Sequence, residues 1–325
     1  MKGKEILLAI LMGIVLPSFL FSVTEKLLPH VDMNSVEQTI ATEPKQEQTE
    51  PYAFADSAIP VIQADGLIKD MKLEEYLVGV ILGEMPLNFD IEALKAQAVV
   101  ARTYTLRRFS ISPKHDGGAV CMNSACCQSY SAPEQYVGSK ALLNKAISAV
   151  ASTTGQVVTY NGTLIEATYF SCSGGRTEDA QAVWGADIPY LQSVDSPGEE
   201  NATHYTESVR FTKEEFVNLL GIPLSGDPEK WFGAVTYTAG GGVDTMLVGG
   251  IPFKGTQLRQ KLGIRSTAFT ITPLGDSVHV VTKGFGHRVG MSQYGAEAMA
   301  VTGSDYRQIL SHYYPGTELT NRNQN

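Results

Sequence analysis

From residue 59 onward, apolar and polar positions repeat with two different periods, and the change of period divides the chain. Leu73, Tyr76, Leu77, Val80 and Ile81 fall at i, i+3, i+4, i+7 and i+8. That spacing predicts an amphipathic helix, and Met85-Pro86 ends it. Asp90 is placed to cap a second helix over 91–109, whose Ala93, Ala96, Ala98 and Ala101 let another helix approach closely. A third helix is predicted over 140–152. The period then shortens: residues 157–160 and 164–169 flank Asn161-Gly162, which suits the type I′ turn of a β-hairpin. A short helix at 213–220, strands near 235–238, 245–248, 268–272 and 278–282, and closing helices at 292–301 and 305–313 complete the pattern. Helices first and strands later, without βαβ alternation, predict an α+β fold: a helical N-terminal part followed by antiparallel β-rich segments. No repeat at solenoid periods is visible.

The first 58 residues read differently. Lys2 and Lys4 precede an almost uncharged run at 6–23, interrupted by Gly13, Pro17, Ser18 and Ser22. The run is barely long enough to span a membrane, and the basic residues before it send the rest of the chain across. A cleaved signal peptide is the rival reading. No small-x-small cleavage site comes after the run, which favours a retained transmembrane anchor at 1–23. Either way the remainder is exported. Residues 24–58 are polar and acidic, as in Glu43-Pro44-Lys45-Gln46-Glu47-Gln48, and read as a solvated linker before a folded domain at 59–325.

Composition narrows the class. With 43% hydrophobic and 18% charged residues the chain can bury a sizeable core, and its net charge of −9 opposes binding to nucleic acid or anionic lipid. Four cysteines are too few for a disulfide scaffold, yet Cys121, Cys126 and Cys127 lie within seven residues. With His115 they supply four soft or borderline ligands on one loop, which describes a closed structural zinc site. The rival is a disulfide from Cys121 to one of the adjacent pair, which strands the third thiol.

Glu84 extends the first helix's apolar stripe, seven residues after Leu77 and eleven after Leu73. An ionised carboxylate on a core-facing side is costly, and desolvation raises its pKa, as proton donation to a leaving oxygen requires. The bland alternative is a helix-terminal glutamate turned to solvent or paired with Lys95 or Arg102. Periodicity alone does not choose.

The surrounding residues do. The run Glu75-Tyr76-Leu77-Val78-Gly79-Val80-Ile81-Leu82-Gly83-Glu84-Met85-Pro86, followed by Glu92-Ala93-Leu94-Lys95-Ala96-Gln97-Ala98-Val99-Val100-Ala101-Arg102-Thr103-Tyr104, resembles the SpoIID (stage II sporulation protein D) family. Ser173-Gly174-Gly175 with Thr177, Val183-Trp184-Gly185, Pro189-Tyr190-Leu191, and Gly286-His287 with Gly290-Met291-Ser292-Gln293-Tyr294-Gly295-Ala296 agree, so the resemblance covers about residues 60 to 318. It implies a single-pass membrane protein of the sporulation septum and engulfing membrane, with an extracytoplasmic domain. It also implies a lytic transglycosylase that cleaves between N-acetylmuramic acid and N-acetylglucosamine and leaves a 1,6-anhydro end, with Glu84 at the catalytic glutamate. Such a reaction needs fewer enzyme groups than hydrolysis, because the substrate's own 6-hydroxyl attacks the anomeric carbon. The resemblance further implies glycan already stripped of stem peptides, a partner amidase (SpoIIP), the membrane protein SpoIIM, and a metal-binding loop at the cysteines.

Beside Glu84, Arg102 and Lys95, seven apart on one helix face, are candidates to line a sugar cleft; a plain solvated basic face is the alternative. Ser173 and Gly174 come directly after a predicted strand, where backbone amides approach a sugar or simply make a tight turn. His287, Ser292, Gln293 and Tyr294 suit sugar hydroxyls and stacking, or else form a structural loop entering the helix capped by Ser292; Gln293 and Tyr294 are the stronger candidates. Cys172 reads as a small buried residue. Two rival functions stand beside the enzyme: a non-catalytic wall-binding enhancer of an amidase, and a zinc amidase or peptidase. The last is disfavoured, because three thiolates and a histidine leave zinc no open position.

Overall fold

The computed structural model describes residues 57–322. The apolar run at 6–23 and nearly all of the expected linker lie outside the described residues. Among the described residues no helix is long and apolar enough to cross a membrane.

The fold is mixed helix and sheet, as the change of period implies, but it does not open with a helix. Strand β1 (Ala58–Ile62) pairs antiparallel with β2 (Ile68–Lys72) and buries Ile59 and Val61 on its inner face. Helix α1 (Leu73–Glu84) comes next and ends where Met85 turns extended before Pro86. Helix α2 (Ile91–Ser110) starts at Asp90, whose side chain accepts the Glu92 amide. Both sit where periodicity and capping place them. Within α1, Gly79 and Gly83 each cost about 1 kcal/mol relative to alanine in a helix interior, so something other than helix propensity keeps them.

A short strand, β3 (Val120–Cys121), then pairs parallel to β1, and helix α3 (Lys140–Ala151) packs on α2. The predicted hairpin forms between β4 (Gln156–Tyr160) and β5 (Thr163–Leu164), with Asn161 at φ 49° and Gly162 at φ 75°, as a type I′ turn demands. Its second strand is shorter than expected, since pairing stops at Leu164. Tyr169–Phe170 (β6) leaves this hairpin, and a five-residue helix, α4 (Ala180–Trp184), lies beyond it.

Residues 206–283 build a second, smaller core. Strand β7 (Thr206–Thr212), helix α5 (Lys213–Leu220, started by a Thr212–Glu215 capping box), strands β8 (Phe232–Tyr237), β9 (Val243–Val248) and β10 (Ile251–Lys254), helix α6 (Gly255–Leu262), and strands β11 (Phe269–Leu274) and β12 (Ser277–Lys283) enclose Phe216, Trp231, Leu258, Val278 and Val280. The strands form antiparallel sheets ordered β10-β9-β8 and β11-β12-β7. Glu178 and Arg288, both buried, join this part to the first core. They pair at 3.1 Å, Arg288 donates to the Gly240 carbonyl, and Glu178 accepts the Gly242 amide.

The chain returns through β13 (Met291–Ser292), which runs parallel to β6 with Met291 opposite Tyr169. Helix α7 (Gln293–Val301) begins at the Ser292 cap, α8 (Tyr306–Tyr313) at Asp305, and β14 (Glu318–Asn321) closes on β4. Helix α2 ends up in the middle, with α1, α3, α7 and α8 all against it.

Candidate active site

Glu84 is the last residue of α1 and is half-buried. Three donors from three distant segments reach it. The Ser129 backbone N–H donates to Oε1 at 2.5 Å, the Tyr169 hydroxyl donates to the same oxygen at 3.1 Å, and the Gln293 amide reaches Oε2 at 3.3 Å. The β6–β13 pairing brings the last two together, because it sets Tyr169 opposite Met291, two residues before Gln293. Burial lifts the Glu84 carboxyl above the ordinary glutamate value, and the three hydrogen bonds, Ser129 first, pull it partly back. Oε1 carries two donors and Oε2 only one long contact, so Oε2 is the oxygen open to give or take a proton. Neither Lys95 nor Arg102 pairs with Glu84.

Tyr169 is itself oriented. Gln128, fully buried, donates from Nε2 to the Tyr169 hydroxyl at 3.2 Å, and its Oε1 accepts from Thr105 at 2.8 Å. With its oxygen accepting from Gln128, Tyr169 directs its own proton at Glu84. Sequence reasoning missed both Tyr169 and the Ser129 amide. Tyr169 stands in an aromatic pair with Phe170 just before Ser173-Gly174-Gly175, a faint signal, and a backbone amide has no signal in sequence.

The expected sugar ligands divide. Gln293 is in the site, and Tyr294 lies beside it, half-exposed, with its ring edge-on to Phe89 at 5.0 Å and its hydroxyl 3.4 Å from Thr203. Arg102 corrects the expectation. It is wholly covered, forks onto Glu74 (Nε–Oε1 2.9 Å, Nη2–Oε2 2.6 Å), and donates to the carbonyls of Val150 and Gln156. Glu74 lies ten residues before Glu84, about 15 Å along the helix. A helix packed on all sides has no cleft face, so an arginine there becomes an internal brace. Lys95, from the same expectation, pairs with Glu92 at 2.6 Å and lies over the Tyr306 ring.

Ser173 and Gly174 are corrected likewise. Their backbone amides point at the buried Glu199, which accepts from Ser173 N at 2.7 Å, Ser173 Oγ at 2.8 Å and Gly174 N at 3.0 Å. A carboxylate of this chain occupies the place expected for a sugar oxygen. Cys172 next to them is fully buried, as expected. His287 packs between Phe170 and Trp184 and accepts the Val289 amide. Burial pushes its pKa down to about 3, so its ring is a neutral packing element.

The cysteine loop gathers as the spacing implies. All four cysteines are free thiols. One ligand atom from each of His115, Cys121, Cys126 and Cys127 lies within 4.8 Å of the others, with His115 Nε2 3.4 Å from Cys126 Sγ and 3.6 Å from Cys127 Sγ. Tetrahedral zinc with its usual bond lengths sets such ligands about 3.5–3.8 Å apart, so the donor set fits the ion. Neighbouring sulfurs hold the Cys126 thiol high, and a cation bound among the three sulfurs would favour their ionised forms.

Residues 63–160 match the family described as SpoIID, stage II sporulation protein. Stage II sporulation protein D of Bacillus subtilis is 37% identical over 297 residues, which cover 89% of this chain and 86% of that protein. The Bacillus amyloliquefaciens protein of the same name is 36% identical over 90% of this chain and 85% of its own length. A more distant relative, the amidase enhancer of Bacillus subtilis, is 28% identical over 75% of this chain and 40% of its own length. The motif that surrounds Glu84 lies inside the matched segment, and the two sporulation proteins align over about nine-tenths of the chain: the chain belongs to the SpoIID family of stage II sporulation proteins.

Proposed function

We propose that the protein is a lytic transglycosylase of peptidoglycan glycan strands and that Glu84 serves as both acid and base. One observation carries the reading. Glu84 is a desolvated carboxylate held by three neutral donors, with no cation in contact and with only one long contact on Oε2. In the first half of the reaction Oε2 gives its proton to the 4-oxygen of N-acetylglucosamine as that oxygen's bond to C1 of N-acetylmuramic acid breaks. In the second half the muramic 6-hydroxyl oxygen bonds to C1 and its proton returns to Glu84. The products are a 1,6-anhydro end and a free 4-hydroxyl, and no water is consumed. Ser129, Tyr169 and Gln293 stabilise the carboxylate between the two transfers. Gln293, bonded to Oε2, and Tyr294 beside it are the residues that meet sugar hydroxyls and a ring face.

The same reading extends to context. The substrate is denuded glycan of the sporulation septum during engulfment, the amidase SpoIIP supplies it, SpoIIM is a membrane partner, and residues 6–23 anchor the domain outside the cytoplasm. His115, Cys121, Cys126 and Cys127 hold a structural zinc that ties down the loop leading to Ser129. Bound there, zinc supplies cross-linking and charge neutralisation and takes no part in bond cleavage.

A second reading is a non-catalytic wall-binding enhancer of a partner amidase, favoured by the relative of that name. Mass spectrometry of denuded glycan separates the two. Wild type releases anhydro-muramic products and Glu84→Gln releases none. A Glu84→Gln protein that still shortens strands sinks the assignment of Glu84, and a wild type that releases nothing but stimulates an amidase establishes the second reading.

A further inference from the structure

Gly79 and Gly83 lie one turn apart on α1, and both face the segment 129–131. The Ser131 amide donates to the Gly79 carbonyl at 3.0 Å, which lays that segment along the helix. The two glycines meet it differently. A Cβ added at Gly79 would run into the Tyr130 ring, a side chain. A Cβ added at Gly83 would sit 2.7 Å from Tyr130 N and 2.8 Å from both Ser129 C and Tyr130 Cα, all main-chain atoms. A ring can swing away, whereas a main chain hydrogen-bonded on both sides moves only as a unit. The main chain in question begins with the Ser129 N–H, which donates to Glu84 Oε1 at 2.5 Å.

We infer that Gly83 is a positioning residue: its missing side chain lets the Ser129–Tyr130 main chain lie close enough to α1 for the Ser129 amide to grip the neighbouring carboxylate. The catalytic part of this inference rests on the proposed role of Glu84, while the amide–carboxylate contact rests on geometry alone. This accounts for a glycine one residue before a helix-terminal glutamate, where alanine is the better helix former. The groups facing Glu84 are the Ser129 amide from the cysteine loop, the Tyr169 hydroxyl from β6, the Gln293 amide from α7 and, on α1 itself, the Tyr76 hydroxyl within electrostatic range. None of them is charged at neutral pH. Removing the amide donor therefore moves Glu84 in one direction, further upward.

The test places Gly79→Ala and Gly83→Ala each in the wild-type and the Tyr130→Ala backgrounds. Gly83→Ala is expected to lower kcat on denuded glycan about a hundredfold in both backgrounds, as a misplacement on the order of 1 Å does. It also shifts the alkaline limb of the pH–rate profile upward. Gly79→Ala is expected to recover to within about threefold once Tyr130→Ala removes the ring it strikes. Ser129→Pro deletes the same N–H without adding an atom to the helix and should reproduce both the loss and the shift. In the wild-type NMR spectrum the Ser129 amide proton tracks the ionisation of Glu84, and in folded Gly83→Ala that response disappears. Wild-type kcat in folded Gly83→Ala overturns the inference, and so does a lower kcat with the alkaline limb and the Ser129 amide response unchanged. If the wild type cleaves no glycan, the enzyme reading alone fails, because the Ser129 amide titration still decides the positioning.

Discussion

Replacing Arg102 by alanine separates an internal brace from a sugar ligand. The guanidinium is 0% exposed and its partner Glu74 22%. It makes two ion-pair bonds to Glu74 and donates to the Val150 and Gln156 carbonyls, linking α1, the end of α3 and the start of β4. Truncation removes the guanidinium donors from the Glu74 carboxylate and from both carbonyls and opens a cavity at the centre of the first core. Breaking a buried pair from one side costs about 3–5 kcal/mol. At about 2–4 °C per kcal/mol for a chain of this size, the unfolding midpoint should fall by roughly 6–20 °C. Differential scanning calorimetry at fixed pH measures it, and sedimentation with denuded glycan below the new midpoint measures binding. Glu74→Ala should destabilise comparably, because it strands the fully buried cation. An Arg102→Ala protein with the wild-type midpoint and lost glycan binding refutes the reasoning and returns Arg102 to the cleft.

The same contacts set other outcomes. Glu84 has a folded-state pKa above its unfolded value, so its contribution to stability is complete below the ordinary glutamate range and is lost as pH rises through the folded value. Glu84→Gln should therefore raise the unfolding midpoint at pH 8 and leave it unchanged near pH 4, and a gain that grows toward acid contradicts this. The cysteine loop should hold one zinc per chain by native mass spectrometry, and Cys126→Ser or a chelator should remove it and lower the midpoint; full stability without metal argues against the site. Glu199→Ala strips the shared acceptor from Ser173 N, Ser173 Oγ and Gly174 N, each buried donor left unpaired costing about 1–3 kcal/mol, so urea denaturation should show a loss of several kcal/mol. An unchanged urea midpoint would mean that those amides find water or another acceptor.

Local pattern carried much of the fold. The helices at 73–84 and 91–110 show their period in apolar residues and, for the second, its start in Asp90, because a helix encodes its own geometry every 3.6 residues. The short helix at 213–220 and the Asn161-Gly162 turn were legible for the same local reasons. The two-residue strands at 120–121, 169–170 and 291–292 were not, since two residues contain no period. The early end of the hairpin at Leu164 was not legible either, because the residues after it are apolar whether paired or packed.

Sequence by itself determined that an acidic residue ends an apolar helix stripe, that four soft ligands fall within thirteen residues, and that the chain carries the motifs of its family. Only the tertiary structure decided what surrounds them. The donors to Glu84 lie 45, 85 and 209 residues away from it, and one of them is a main-chain amide. Arg102, read with Lys95 as one polar face, turned inward because other elements enclose α2 there, while Lys95 stays partly exposed beside Glu92. The amides of Ser173 and Gly174, expected to be free for a sugar, belong to Glu199. Periodicity records how a segment repeats along its own axis, whereas burial and hydrogen-bond partners depend on which distant segments come to lie against it.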